Sequence, residues 1–173
     1  EKFPAYSPLS TLCIDEQAQS WADLIESKFE ELTDILLEYE SFEVVKDETE
    51  RTLDLLRNIK ENNAYFRLRI NEVTTFLPRN QPLYAFTCFV LIPSLMATEV
   101  HFRIPHGMRH FFSKMLDLLE VEKRFPNITI SRLTRLEFLR ERSAVRVNPE
   151  TQETIPVTDA VIFTGTPSHA SQL

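Results

Sequence analysis

The sequence predicts an α/β fold: a parallel sheet with crossover helices, preceded by a helical N-terminal section. Three observations predict it. From Val73 onward the apolar pattern alternates strand, helix, strand, helix, strand, which is the order a parallel sheet with crossover helices requires. Before that point, apolar residues recur at three- and four-residue spacing, the period of a helix face. A 173-residue chain with 43% hydrophobic content can also close one core, so one domain or a large piece of one is expected.

Taken in order, Trp21, Leu24, Ile25, Phe29, Leu32, Ile35, Leu36 and Tyr39 define one apolar face of a long helix whose other face is acidic. A second helix is expected to start at Asp47 and Glu50, a capping-box-like pair, and to continue through Leu53, Leu56 and Ile59. Tyr65 to Ile70 alternates apolar and charged residues and reads as a half-exposed strand. Val73 to Leu77 reads as a second strand, and Asn80-Gln81-Pro82 opens an apolar helix from Leu83 to Ala97. Val100 to Ile104 is strand-like, Met108 to Phe125 an amphipathic helix, and Ile128 to Ile130 a strand. Thr134 to Arg142 is a helix with a capping box in Thr134 and Glu137; Val145 to Val157 is a loop or irregular hairpin, and Val161 to Phe163 the last strand. Thr164-Gly165-Thr166 then turns into a helix opening at Pro167, with Thr at its N-cap and Pro at its first position.

Composition narrows the function. A net charge of −7 without a long basic block argues against a general nucleic-acid binder, because neutralising phosphates needs a concentrated Lys/Arg surface. Arg67, Arg69, Arg132, Arg135, Arg140 and Arg142 are expected to be solvated or paired with nearby Glu. The run from Leu83 to Ala97 is shorter than a membrane span and lacks the flanks of a signal peptide, so no membrane association is expected. Cys13, expected ahead of the first helix, and Cys88, within the apolar run, are too few and too far apart for a disulfide framework, which points to a cytoplasmic protein. With only two glycines, Gly107 and Gly165, the chain has no P-loop and no GxGxxG fingerprint. His106 and His110, four apart, could share a helix face as metal ligands, but no Cys or HExxH pattern joins them and no metal is expected. The Glu30-Glu31 and Asp47-Glu48 pairs are expected on polar faces and at helix starts, serving solubility and capping.

Ligands of parallel sheets settle at the carboxyl ends of the strands. Here those ends read LPRNQPL, HFRIPH and VIFTGT. In these three segments and in the spacing from Asn80 to Arg103 the chain resembles the aldehyde dehydrogenase superfamily, including its acyl-CoA reductase-like members. In that family P-W-N-F-P-L opens an apolar helix, a strand ends in K-P-x-E, and a later strand ends in F-T-G-S. The resemblance runs from about Val73 to Leu173. It implies a Rossmann-like domain holding NAD or NADP. Residues 1–63 would form the helical section and 64–173 a partial dinucleotide-binding domain, in one structural unit.

Residue by residue, the resemblance places Asn80 as the oxyanion-hole amide; its alternative is a cap on the helix of Pro82, taken there as the second helical residue. It places Arg103 where the family has a ribose-binding lysine and His106 where it has a ribose-binding glutamate, both departures from the pattern. Thr164, Gly165 and Thr166 would hold the pyrophosphate at the N-terminus of the following helix, although Ala170 replaces the usual glycine. The family's general-base glutamate and nucleophilic cysteine would fall past Leu173, so this chain alone is expected to be inactive. The complete enzyme would take a small-molecule aldehyde or acyl thioester, with no nucleic acid or membrane partner, and is compatible with a homo-oligomer. The alternative is a non-catalytic interaction module that keeps the fold.

Overall fold

A computed structural model describes residues 11–67 and 69–164. At its centre is an all-parallel Rossmann-like sheet in the order β3-β2-β1-β6, made of β1 (Ile70–Phe76), β2 (Ala97–Arg103), β3 (Ile128–Ser131) and β6 (Ala160–Phe163). β4 (Val145–Val147) and β5 (Thr154–Pro156) form a separate antiparallel hairpin where a loop or irregular hairpin was expected.

The sheet is covered on both faces. On one lies the apolar helix after β1, which runs as α4 (Pro82–Phe86), a π-helical turn (Thr87–Leu91) and α5 (Ile92–Met96). Phe86 packs edge-on to Phe102 of β2, and Thr75 of β1 donates to the Phe89 carbonyl within the π-turn at 2.7 Å. The extra residue of a π-turn frees a carbonyl from the helix ladder, and Thr75 satisfies it. On the other face lies α8 (Arg135–Arg142), whose Phe138 meets Phe76 edge-on with ring centroids 5.1 Å apart. The capping box expected for α8 is present in both halves: Glu137 N–H donates to Thr134 Oγ1, and Thr134 N–H to Glu137 Oε2.

Four expectations change. The long first helix is two, α1 (Thr11–Ser27) and α2 (Phe29–Leu37), because Lys28 leaves helical geometry at φ −110° and ψ 18°. Cys13 therefore lies inside α1, and Tyr39 beyond the end of α2. The next helix, α3 (Phe42–Arg57), starts after Ser41, so Asp47 and Glu50 sit mid-helix, pairing with Arg51 and Lys46. Tyr65 ends a 3₁₀ helix (Ile59–Tyr65), and a single strand, β1, replaces the two expected. β1 is an interior strand covered on both faces, so its buried run Val73-Thr74-Thr75-Phe76 does not alternate, whereas the alternating text starts in the 3₁₀ helix at Tyr65 and ends at Ile70, the first residue of β1. Finally, Met108 to Phe125 divides into α6 (Arg109–Leu118) and α7 (Val121–Arg124) at Glu120, whose φ is +51°.

The core runs from Ile14, Trp21 and Ile25 of α1 through Leu56 of α3 and Phe86 to Val100, Phe102 and Ile128 of the sheet. Such continuous burial is what fixes the helical section against the sheet's helix layer.

Candidate functional site

Register brings the carboxyl ends of the strands level. Phe76 stands opposite Arg103 on one side and Phe163 on the other, and Arg103 stands opposite Ser131. The segments after these residues, Leu77–Gln81, Ile104–Gly107 and Thr164, therefore leave the sheet at one end. Of the residues singled out in the sequence, Asn80, Arg103, His106 and Thr164 are brought to this end. Gly165 and Thr166 lie outside the described residues, as does the helix expected from Pro167.

The turn carrying Asn80 is strained and heavily tied. Gln81 adopts a left-handed conformation, φ 49° and ψ 61°, which a side chain with a Cβ disfavours. It is held by its N–H donating to Glu40 Oε1 at 2.7 Å, by Arg51 donating to its Oε1 at 2.6 Å, and by Ala85 N–H donating to its carbonyl at 2.8 Å. Gln81 is the N-cap and Pro82 the first helical residue, not the second; Asn80 is exposed and outside the helix, so it is no cap. Its amide is free to act at the surface of this end.

Beneath the turn lies a group the sequence reading missed. Glu48, expected on a polar face, is 0% exposed. Its Oε2 accepts from Tyr84 N–H at 3.2 Å, so it binds the first turn of α4 as Glu40 binds Gln81. Burial pushes the Glu48 carboxyl up to about 9, and the hydrogen bond and charge of Glu40 push the same way. The two remaining oxygens, Glu40 Oε2 and Glu48 Oε1, are buried with no other partner, which a proton on Glu48 donated to Glu40 satisfies. A signal was present: Val45, Glu48, Thr49, Thr52 and Leu56 share one helical stripe, and all are buried.

A second group collects at the ends of β2 and β3. Arg103 donates to the Leu133 carbonyl at 3.3 Å, and Arg109 to the Arg132 carbonyl at 2.7 Å. Burial, then the charges of Arg109 and Arg135, lower the Arg103 guanidinium below its ordinary range. Arg79 reaches the neighbouring turn, since a Cβ built on Gly107 would lie 3.7 Å from its Nη2. His106 is exposed in that turn, where Gly107 takes φ +83°, a conformation in which a side chain is strained. Guanidinium groups crowded together favour a bound anion, which relieves their repulsion. Thr164 Oγ1, at the end of β6, is buried without a partner among the described residues.

Other candidates separate. α6 begins at Arg109, so His106 lies outside it and shares no helix face with His110; among the described residues no cluster could hold a metal ion. Burial raises the Cys88 thiol, making it a poor nucleophile at neutral pH. Arg142, expected to be solvated or paired with a nearby Glu, is buried and bonded to Glu72, seventy positions away in sequence, and to Thr74. No helix among the described residues is long and apolar enough to cross a membrane. No family model matches the chain, and no curated protein or solved structure matches it.

Proposed function

We propose that the chain is the N-terminal, cofactor-binding part of an NAD- or NADP-dependent aldehyde dehydrogenase-type oxidoreductase, with the nucleophile and general base supplied from beyond residues 1–173. The observation that carries this reading is the meeting, at the carboxyl end of one parallel sheet, of a tied turn bearing Asn80, an arginine group around Arg103 and the Thr164 hydroxyl, which has no partner among the described residues. Parallel sheets bind nucleotides at that end.

The residues fit a dinucleotide in kind. Arg103, with Arg109 and Arg135 near it, supplies donors and positive charge for a phosphate or ribose, and Thr164 supplies a hydroxyl. NAD or NADP, when bound, supplies the hydride acceptor. Asn80 donates its side-chain N–H to the oxyanion that forms when an aldehyde or acyl thioester is attacked, and the bonds on Gln81 hold the neighbouring backbone of the turn that carries it.

The test is calorimetric titration of NAD and NADP into this chain and into a version extended past Leu173. Saturable binding by the extended protein is expected, with Asn80→Ala in that protein lowering kcat by about a hundredfold or more and leaving nucleotide affinity nearly unchanged. Failure of the extended protein to bind either nucleotide at millimolar concentration overturns this reading in favour of the non-catalytic interaction module.

A further inference from the structure

At the opposite end of the sheet lies a cavity of about 390 Å³. Topology locates it: Arg69 immediately precedes β1, Ser94 and Leu95 close the helix before β2, and Asn127 immediately precedes β3. Gln17, Ser20 and Trp21 of α1 and Arg124, Phe125 and Pro126 after α6 complete its wall. The volume is within the range of small-molecule sites, roughly 300–1,000 Å³.

Two features of the wall point to the chemistry of an occupant. Among the described residues its only charged ones are Arg69 and Arg124, in a chain whose net charge is −7. Arg69 is exposed and makes no hydrogen bond or ion pair with a described residue, while Arg124 has only the loose, partly exposed contact of its Nε with Glu120 Oε2 at 3.4 Å. Both guanidinium groups thus keep donors for something else, since an exposed pair of this kind is weak. The second feature is apolar and rigid. Trp21 is 1% exposed and meets Phe125 edge-on at 5.3 Å; Leu95 lies beside them. Trp21 Nε1 is buried without a partner among the described residues, which is costly for an indole N–H. Asn127 fixes the floor by donating its amide to the carbonyls of Ser94 and Ala97, at 2.9 and 3.2 Å.

We propose that this cavity binds a small organic anion, a carboxylate or phosphate carrying an apolar ring, with the anionic group between Arg69 and Arg124 and the ring against Leu95 and Phe125. The site is separate from the carboxyl end of the sheet and does not depend on the nucleotide reading. Arginine forks bind either oxyanion through paired, charge-assisted hydrogen bonds. The rings and Leu95 reward an apolar substituent that inorganic phosphate lacks.

Trp21 is the sole tryptophan, so its fluorescence reports on this wall directly. Benzoate, phenyl phosphate, inorganic phosphate and benzyl alcohol are titrated into the full chain, with calorimetry in parallel. Saturable binding of benzoate or phenyl phosphate is expected, and whichever of the two binds more tightly identifies the preferred anion. Binding should weaken with added salt and stay unchanged in the presence of NADP. The Arg69→Gln, Arg124→Gln double variant should bind about tenfold more weakly or worse, with an unaltered thermal melt. No saturable change with either aryl anion, equal binding of benzyl alcohol, or undiminished binding by a folded double variant each overturns the site.

Discussion

At the start of β1 the Glu72 carboxylate meets the Arg142 guanidinium of α8, whereas below the helix that follows the same strand Glu48 meets another carboxyl, Glu40. Arg142 is buried and also bonds Thr74, so charge is balanced by charge. Glu48 is fully buried with no cation bonded to it, and its charge is removed by a proton instead. Arg51, close by, directs its donors to Gln81 and Asp47 and its face to Tyr84. The difference teaches where the fold responds to its surroundings. An ion pair locks α8 to an interior strand of the sheet, while a protonated acid under the Asn80 turn ties that turn to pH.

The largest effect is expected from breaking the ion pair. Arg142→Ala leaves Glu72 with no cation bonded to it and should cost about 3–5 kcal/mol in urea unfolding. Replacing both partners, as Arg142→Leu with Glu72→Leu, should restore most of that stability, because an apolar pair of similar volume needs no compensation. A double variant as unstable as the single one would show that the packing of α8, rather than the pairing, is what Arg142 supplies.

The protonated side of the comparison predicts a pH dependence. Glu48 holds its proton to about pH 9 in the fold, while in the unfolded chain it ionises in the ordinary carboxyl range near 4.5. A folded-state value raised in this way favours the fold fully below the unfolded value. Stability from this group then declines as pH climbs, by up to about 1.4 kcal/mol per unit, and is lost once the folded value is passed. Glu48→Gln keeps an acceptor for Tyr84 N–H and a donor for Glu40 without a charge. Urea midpoints measured from about pH 5 to about pH 9 should therefore fall in the native chain and fall much less in the variant. Parallel declines would remove Glu48 as the cause.

Much of this was legible in the sequence, and what was not follows from distance and from backbone. The alternation from β1 to β6 gave the parallel sheet, since buried strands and amphipathic crossovers leave different periods in the text. Thr134 and Glu137 were readable because a capping box is a local pattern. Glu48 could have been placed by its stripe but was read by its charge. The Arg142–Glu72 pair was out of reach, because nothing in the sequence ties a helix end to a strand seventy positions earlier. Gln81 was equally hidden: a left-handed glutamine is set by the three bonds that hold it, two of them from Glu40 and Arg51. At the candidate site, the text located the strand ends and their residues, and the structure added the acids and arginines that surround them.

The smallest effect belongs to the opposite end of α8, and it has the reverse pH sign. Glu137 is exposed, and the Thr134 N–H it accepts, followed by the Thr134 side chain, holds its carboxyl below the ordinary range. A depressed value stabilises the fold above the unfolded carboxyl range and ceases to do so as pH falls through the folded value. Acid should therefore loosen the start of α8 while leaving the proton on Glu48 in place. Thr134→Ala removes the acceptor for Glu137 N–H and should cost about 1 kcal/mol at neutral pH. Glu137→Gln, which can still accept from Thr134 N–H, should cost less and remove only the acid-dependent part. Because Arg103 bonds the Leu133 carbonyl, just before this cap, both variants also probe the candidate site. If the cap helps hold Arg103 in place, Thr134→Ala should weaken nucleotide binding by the extended protein more than Glu137→Gln does. Equal affinities in the two variants would show that Arg103 is held by the sheet alone.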